Sequence, residues 1–167
     1  MISLILVLRL FLNITHYGHY YFESLPIECE DSLIIEHSFT RFNPILRKYE
    51  VSKGLNVYTQ HDTSQVISIV NGVVTIDSVM VDSIMNYTAK INSENGYKII
   101  LNNIDYLSVK DSSVISKGDN IGFVVDSEER PLYFRVFRDL VEVDVRELYP
   151  KQLFVHKDSN LIFFTCE

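Results

Sequence analysis

Apolar and polar residues alternate in short runs over most of the chain from Gly54 onward, and turn signals separate the runs. A period of two puts successive side chains on opposite faces of a strand. Val141-Glu142-Val143-Asp144-Val145 is the cleanest case. Val66–Val70 and Val73–Ile76 flank Asn71-Gly72, a pair suited to the positive φ angles of a type I′ turn. That pattern predicts a β-hairpin. Tyr87–Ile91 and Tyr97–Leu101 read as strands joined by a turn at Asn92–Gly96. Further strands are expected at Ile104–Val109, Ile121–Val125, Leu132–Phe137 and Asn160–Thr165, with a turn at Lys117–Asn120. Only Val79–Met85 leaves room for a turn of helix. About eight to ten short strands and no long amphipathic helix imply an all-β, two-sheet sandwich or barrel-like domain.

The pattern before Gly54 is less regular. Tyr17, Tyr20, Tyr21 and Phe22 crowd one stretch, Pro26 and Pro44 interrupt, and Leu33–Phe39 is the one strand-like run. Residues 15–49 therefore read as an N-terminal arm, with the aromatics packed or at an interface. Ile2–Ile14 is apolar apart from interruptions such as Arg9 and Asn13. At about 13 residues it is too short to span a bilayer core. It suits a signal or anchor segment, or else an element packed on the core. The expected division is residues 1–14 as a signal or anchor segment, 15–49 as arm, 50–150 as the β domain, and 151–167 as a C-terminal strand and tail.

Composition narrows the function. The chain has 167 residues, of which 47% are hydrophobic, enough for a packed core. Its net charge of −7 argues against nucleic acid or an anionic membrane as a partner held by bulk charge. Cys29 and Cys166 are the two cysteines, compatible with one disulfide or two thiols. No Cys/His cluster has zinc-finger spacing. His16 and His19 lack a third ligand. His61-Asp62 reads as a polar loop. Gly118-Asp119-Asn120-Ile121-Gly122 lacks the Lys-Ser/Thr of a phosphate loop.

The order of the remaining motifs carries a resemblance. Ser52-Lys53-Gly54-Leu55-Asn56-Val57 precedes the Val66–Val74 segment, then Tyr97-Lys98-Ile99-Ile100-Leu101 and Tyr106-Leu107-Ser108. Ile115-Ser116-Lys117-Gly118-Asp119-Asn120-Ile121-Gly122 follows, then Pro131-Leu132-Tyr133-Phe134-Arg135-Val136 and Val143-Asp144-Val145. Over about residues 50–150 this series resembles the LytM/lysostaphin-type zinc endopeptidase domain, which cuts peptidoglycan cross-bridges. The resemblance implies that family's duplicated hybrid-motif β fold.

It also implies where the family's chemistry would lie. The zinc-ligand positions carry Ser52, Asn56 and Tyr133. The remaining two catalytic histidine positions carry Pro131 and Tyr106. Serine and asparagine are poor zinc ligands near neutral pH, and a tyrosine phenol titrates near ~10. Proline accepts no proton through its side chain. The resemblance thus implies a catalytically dead member that uses no metal or other cofactor. Tyr106, Tyr133 and Arg135 would then line a degenerate groove with Ser52, Asn56 and Pro131. Tyr133 would either bind a ligand there or fill the space as core. The expected role is a binding, regulatory or scaffold module of the cell envelope, periplasmic or extracytoplasmic, either exported or anchored to the membrane by residues 1–14. Expected partners are an envelope protein, a cell-wall hydrolase or peptidoglycan itself, and no nucleic acid. Two other readings stand beside it: an enzyme built on His61 and Asp62, and a carrier-like β module with Lys117 near a turn.

Overall fold

The computed structural model describes residues 22–29, 32–37, 40–43, 47–59, 61–81, 83–125, 130–150, 154–156 and 161–165. Residues 1–14 and the His16–Tyr21 cluster lie outside the described residues.

The elements are strands, in agreement with the all-β expectation. They run β1 (Ser32–His37), β2 (Thr40–Asn43), β3 (Lys48–Val51), β4 (Leu55–Tyr58), β5 (Thr63–Ile67) and β6 (Gly72–Val81). Then come β7 (Ile84–Ser93), β8 (Tyr97–Ile104), β9 (Tyr106–Leu107), β10 (Val114–Ile115), β11 (Asn120–Val125) and β12 (Leu132–Arg138). β13 (Val141–Val143), a 3₁₀ turn at Val145–Leu148, β14 (Phe154–His156) and β15 (Leu161–Thr165) complete the order. The large sheet has the order β10-β6-β7-β8-β12-β4-β1-β15-β14, with β13 on β12. A second sheet is β5-β11-β9, and β2 with β3 forms a separate hairpin.

Alternation decides which side of the large sheet is buried. Leu33 and Ile35 of β1, Leu55 and Val57 of β4, Leu132, Phe134 and Val136 of β12, and Ile99 and Leu101 of β8 all point inward. They share one core with Val66, Ile121 and Val124 of the smaller sheet. Burying a side chain of this size contributes roughly 1.5–3 kcal/mol, so this face fixes the strand register. The opposite, outer face carries Glu36, Asn56, Tyr58, Tyr133, Arg135, Lys98 and Asn102 at the alternate positions.

The segment read as an arm contributes to both sheets. β1 lies between β4 and β15 in the large sheet. Ile27 bridges Val66 beside β5. Phe22 packs on Tyr97 and Tyr149, and Tyr149 packs edge-on against Phe164 of β15.

Three local expectations are corrected. Val66–Val70 and Val73–Ile76 do not form a hairpin, because β5 pairs with β11 while β6 pairs with β7 and β10. Asn71-Gly72 is a crossing between sheets, and neither residue takes a positive φ. Asn71 instead accepts a hydrogen bond from the Lys117 backbone N–H at 2.8 Å. Gly72 is required by close approach: a Cβ there would lie 2.3 Å from the Asn92 carbonyl oxygen. Likewise Val79–Val81 and Ile84–Met85 are not helical but form the distal part of the long β6–β7 pair. The predicted Ile104–Val109 strand also divides. Ile104 ends β8, while Tyr106 and Leu107 join the smaller sheet beside β11.

Candidate functional site

Register aligns a polar row across the outer face. Asn102 of β8 is opposite Tyr133 of β12, Tyr133 is opposite Asn56 of β4, and Asn56 is opposite Glu36 of β1. Neighbours directly across strands lie close enough for side chains to bond; Asn56 and Glu36 do so, and the other members of the row bond residues beside it. Asn56 Nδ2 donates to Glu36 Oε2 at 2.8 Å, and the Tyr58 hydroxyl donates to the same oxygen at 3.1 Å. Asn102 Nδ2 donates to Thr88 Oγ1 at 2.8 Å. The Tyr133 hydroxyl and Ser52 Oγ share a hydrogen bond of 2.7 Å. Ser52 is buried in the loop between β3 and β4 and also accepts from the Gly54 backbone N–H at 3.0 Å.

Gly54 makes this junction fit. A Cβ there would come within 2.7 Å of Arg135 Cγ and the Phe134 carbonyl oxygen, and within 2.8 Å of Tyr133 Cε2. β12 can therefore lie against the loop that carries Ser52 only because residue 54 has no side chain.

Of the six residues singled out from sequence, Ser52, Asn56, Tyr133 and Arg135 gather on β4, β12 and the loop before β4. Arg135 lies over two rings of its own strand, 5.2 Å from the Tyr133 centroid and 5.5 Å from that of Phe137. Pro131 sits just before β12, and its carbonyl accepts from Asn103 Nδ2 at 2.8 Å. Tyr106 belongs to the smaller sheet and is 64% exposed. His61 and Asp62 lie exposed in the loop between β4 and β5. Lys117 pairs with Glu23.

Glu36, Tyr58 and Asn102 were missed in the sequence. Glu36 and Tyr58 sit at alternate positions of apolar strands, which is the signal of an outward-facing polar residue. Nothing local ties them to Asn56; the pairing of β1 with β4 does. Burial chiefly, then the hydrogen bond and the charge of Glu36, push the Tyr58 phenol above its ordinary value near 10. A raised phenol pKa means that the folded state holds this proton longer than the unfolded chain. The associated stability is present below pH ~10 and falls as pH rises through the folded value. Glu36→Gln is expected to bring the Tyr58 midpoint down toward 10 while burial keeps it above; NMR of the labelled tyrosine ring carbon checks this. An unchanged midpoint would remove Glu36 as a cause.

No protein-family model and no curated protein matches this chain. Solved structures do. A chain of the SpoIIQ–SpoIIIAH pore-forming complex matches at a TM-score of 0.60 with 15% identity, over 79% of this chain and 93% of that one. Csd3 of Helicobacter pylori matches at 0.55 with 17% identity, over 78% of this chain and 33% of Csd3. A LytM from Ruminococcus gnavus, assigned as a glycyl-glycine endopeptidase, matches at 0.50 with 15% identity, over 77% and 58% of the two chains. The chain has the LytM-type fold.

In this LytM-type chain the outer-face row does not suit a catalytic zinc. Such a site takes three ligands from histidine, cysteine or carboxylate. Ser52, Asn56 and Tyr133 offer a hydroxyl, an amide and a phenol, and these groups already bond one another or Glu36. Among the described residues no three His, Cys, Asp or Glu side chains come together as a metal site. The row instead offers fixed hydrogen-bond donors and acceptors on a sheet face.

Proposed function

We propose that this chain is a non-catalytic LytM-type domain that works as a binding or scaffold module in a complex of the cell envelope. The observation that carries the reading is the Ser52–Tyr133 hydrogen bond. By the family resemblance, these two positions would each supply a zinc ligand, and here they satisfy each other at 2.7 Å. The likeness in fold to a chain of the SpoIIQ–SpoIIIAH pore-forming complex supports a role in an assembly. The disulfide at Cys29 supports an oxidising, extracytoplasmic compartment.

The contact surface suits a protein. At the far end of the β6–β7 hairpin, Val79, Met80, Val81 and Ile84 are each about half exposed or more. β10 pairs β6 only at Gly72 and Val73. Among the described residues no strand lies along the outer edge of β6 beyond Ile76. An exposed apolar edge without a covering element is characteristic of an interaction surface.

The test places a photo-crosslinking amino acid at Tyr133 or at Met80 in cells and reads the products by mass spectrometry. A discrete adduct with an envelope protein is expected. Absence of any envelope protein at both positions would overturn the scaffold reading. Zinc-dependent hydrolysis of peptidoglycan by the purified chain would overturn the non-catalytic one.

A further inference from the structure

The chain turns from β12 into β13 in two residues. Arg138 is opposite Val141, so Asp139 and Leu140 form the loop. Both take positive φ, 49° and 66°, as a type I′ turn requires. Glycine is the ordinary choice at the second of these positions, because a side chain there crowds the backbone. Among the described residues the other positive-φ residues that are not glycine are Arg47, Ser83, Asn103, Ser112 and Asp139, all of them polar. Leu140 is the apolar one, and it is 92% exposed. A single exposed leucine is ordinary. This one is also held in a conformation that leucine resists, and it buries almost nothing in its own fold to offset the strain.

A hollow lies beside this knob. An open pocket of about 470 Å³ is lined by Asn92, Lys98, Ile100, Phe137, Asp139 and Leu140 itself, among others. Ile100 and Phe137 give it apolar wall, and Val141, next to the turn, is exposed as well. The pocket also carries one cation and one anion, Lys98 and Asp139, and among the described residues neither is in an ion pair. A knob beside an apolar hollow and a cation beside an anion make the patch self-complementary. Such a patch is what an isologous two-fold contact needs, because each copy receives what it presents.

We propose that this patch joins two copies of the chain about a two-fold axis. Leu140 of each copy enters the pocket of the other against Ile100 and Phe137, and Asp139 of each meets Lys98 of the other. An unrelated partner would have to supply the same knob and the same pair of charges, whereas a second copy does so by symmetry. The contact is small, so the dimer is weak and depends on concentration. It also leaves the open edge of β6 free. β7 runs from Ile84, beside that edge, to the pocket at Asn92, so the two surfaces lie at opposite ends of one strand. A dimer therefore presents two copies of the exposed apolar edge.

The test is sedimentation velocity of the full chain from micromolar to millimolar concentration, where a reversible monomer–dimer equilibrium is expected. Leu140→Gly removes the knob and suits the turn. It should weaken the dimer at least about tenfold, as loss of a buried leucine predicts. The dilute monomer should meanwhile melt no lower than the natural chain, since glycine relieves the positive φ. That combination separates a contact residue from one that holds the fold. Lys98→Glu and Asp139→Lys should each weaken the dimer, and the two together should restore it, because the charges then match again across the axis. A chain that stays monomeric at millimolar concentration, a dimer that survives Leu140→Gly, or a double variant no better than the single ones would each overturn the proposal. So would binding to phosphatidylcholine vesicles through Leu140 with no dimer, which would assign the knob to a membrane. Crosslinking from Met80 reads the other end of β7, so failure here leaves the scaffold reading standing.

Discussion

Loss of the disulfide at Cys29 is expected to lower the melting temperature by about 5–15 °C. Cys29 is disulfide-bonded, and the chain's other cysteine is Cys166. A cross-link between them closes most of the chain into a loop. Removing such a link costs about 2–5 kcal/mol, chiefly because the unfolded chain regains the freedom that the loop denied it. For a chain of this size each kcal/mol moves the melting temperature by roughly 2–4 °C. The site of the bond adds a local reason. Register pairs Ser32 of β1 with Thr165 of β15, so Cys29 lies three residues before a strand that pairs with the last described strand. Calorimetry with and without reductant, beside Cys29→Ser, checks this. The variant should melt where the reduced protein melts and should ignore reductant. A variant as stable as the oxidised protein would show that core packing alone holds β1 against β15.

The fold was largely legible because the alternation that marks a strand is local. Leu132–Phe137 reads correctly since its inward residues, Leu132, Phe134 and Val136, are apolar and its outward ones are larger polar or aromatic groups. Pairing was less legible. Asn71-Gly72 has the composition of a tight turn, yet the strands on either side belong to different sheets. The glycine answers the nearby Asn92 carbonyl, which lies far along the chain and leaves no local trace. The site divides in the same way. Ser52, Asn56 and Tyr133 could be named because a family pattern marks their positions. Glu36 could not, since its relation to Asn56 exists only through the pairing of β1 with β4. Lys98 and Asp139 likewise share one pocket only once β8 is set beside β12.

Placing three zinc ligands at positions 52, 56 and 133 is expected to create zinc binding that the natural chain is expected to lack. The variant is Ser52→His, Asn56→Asp and Tyr133→His together. The row already brings these positions together: residues 56 and 133 are cross-strand partners, and the side chains of 52 and 133 touch at 2.7 Å. Two imidazoles and a carboxylate with an open fourth position are the donor set of a catalytic zinc site. The natural residues offer no anionic or imidazole donor among the three. The variant should therefore hold about one equivalent of zinc after dialysis. Zinc at about a hundred times its dissociation constant should add roughly 2.7 kcal/mol of stability, and chelator should remove it. The natural chain should show neither effect. Hydrolysis is a separate matter. Pro131 accepts no proton through its side chain, and Tyr106 stands exposed on the smaller sheet. Zinc alone leaves the attacking water without its histidine partners, so the variant should bind metal and still fail to cut peptidoglycan. Equal zinc content in variant and natural chain would show that these positions are not the former metal site, and the argument for a non-catalytic domain from Ser52 and Tyr133 would fall with it.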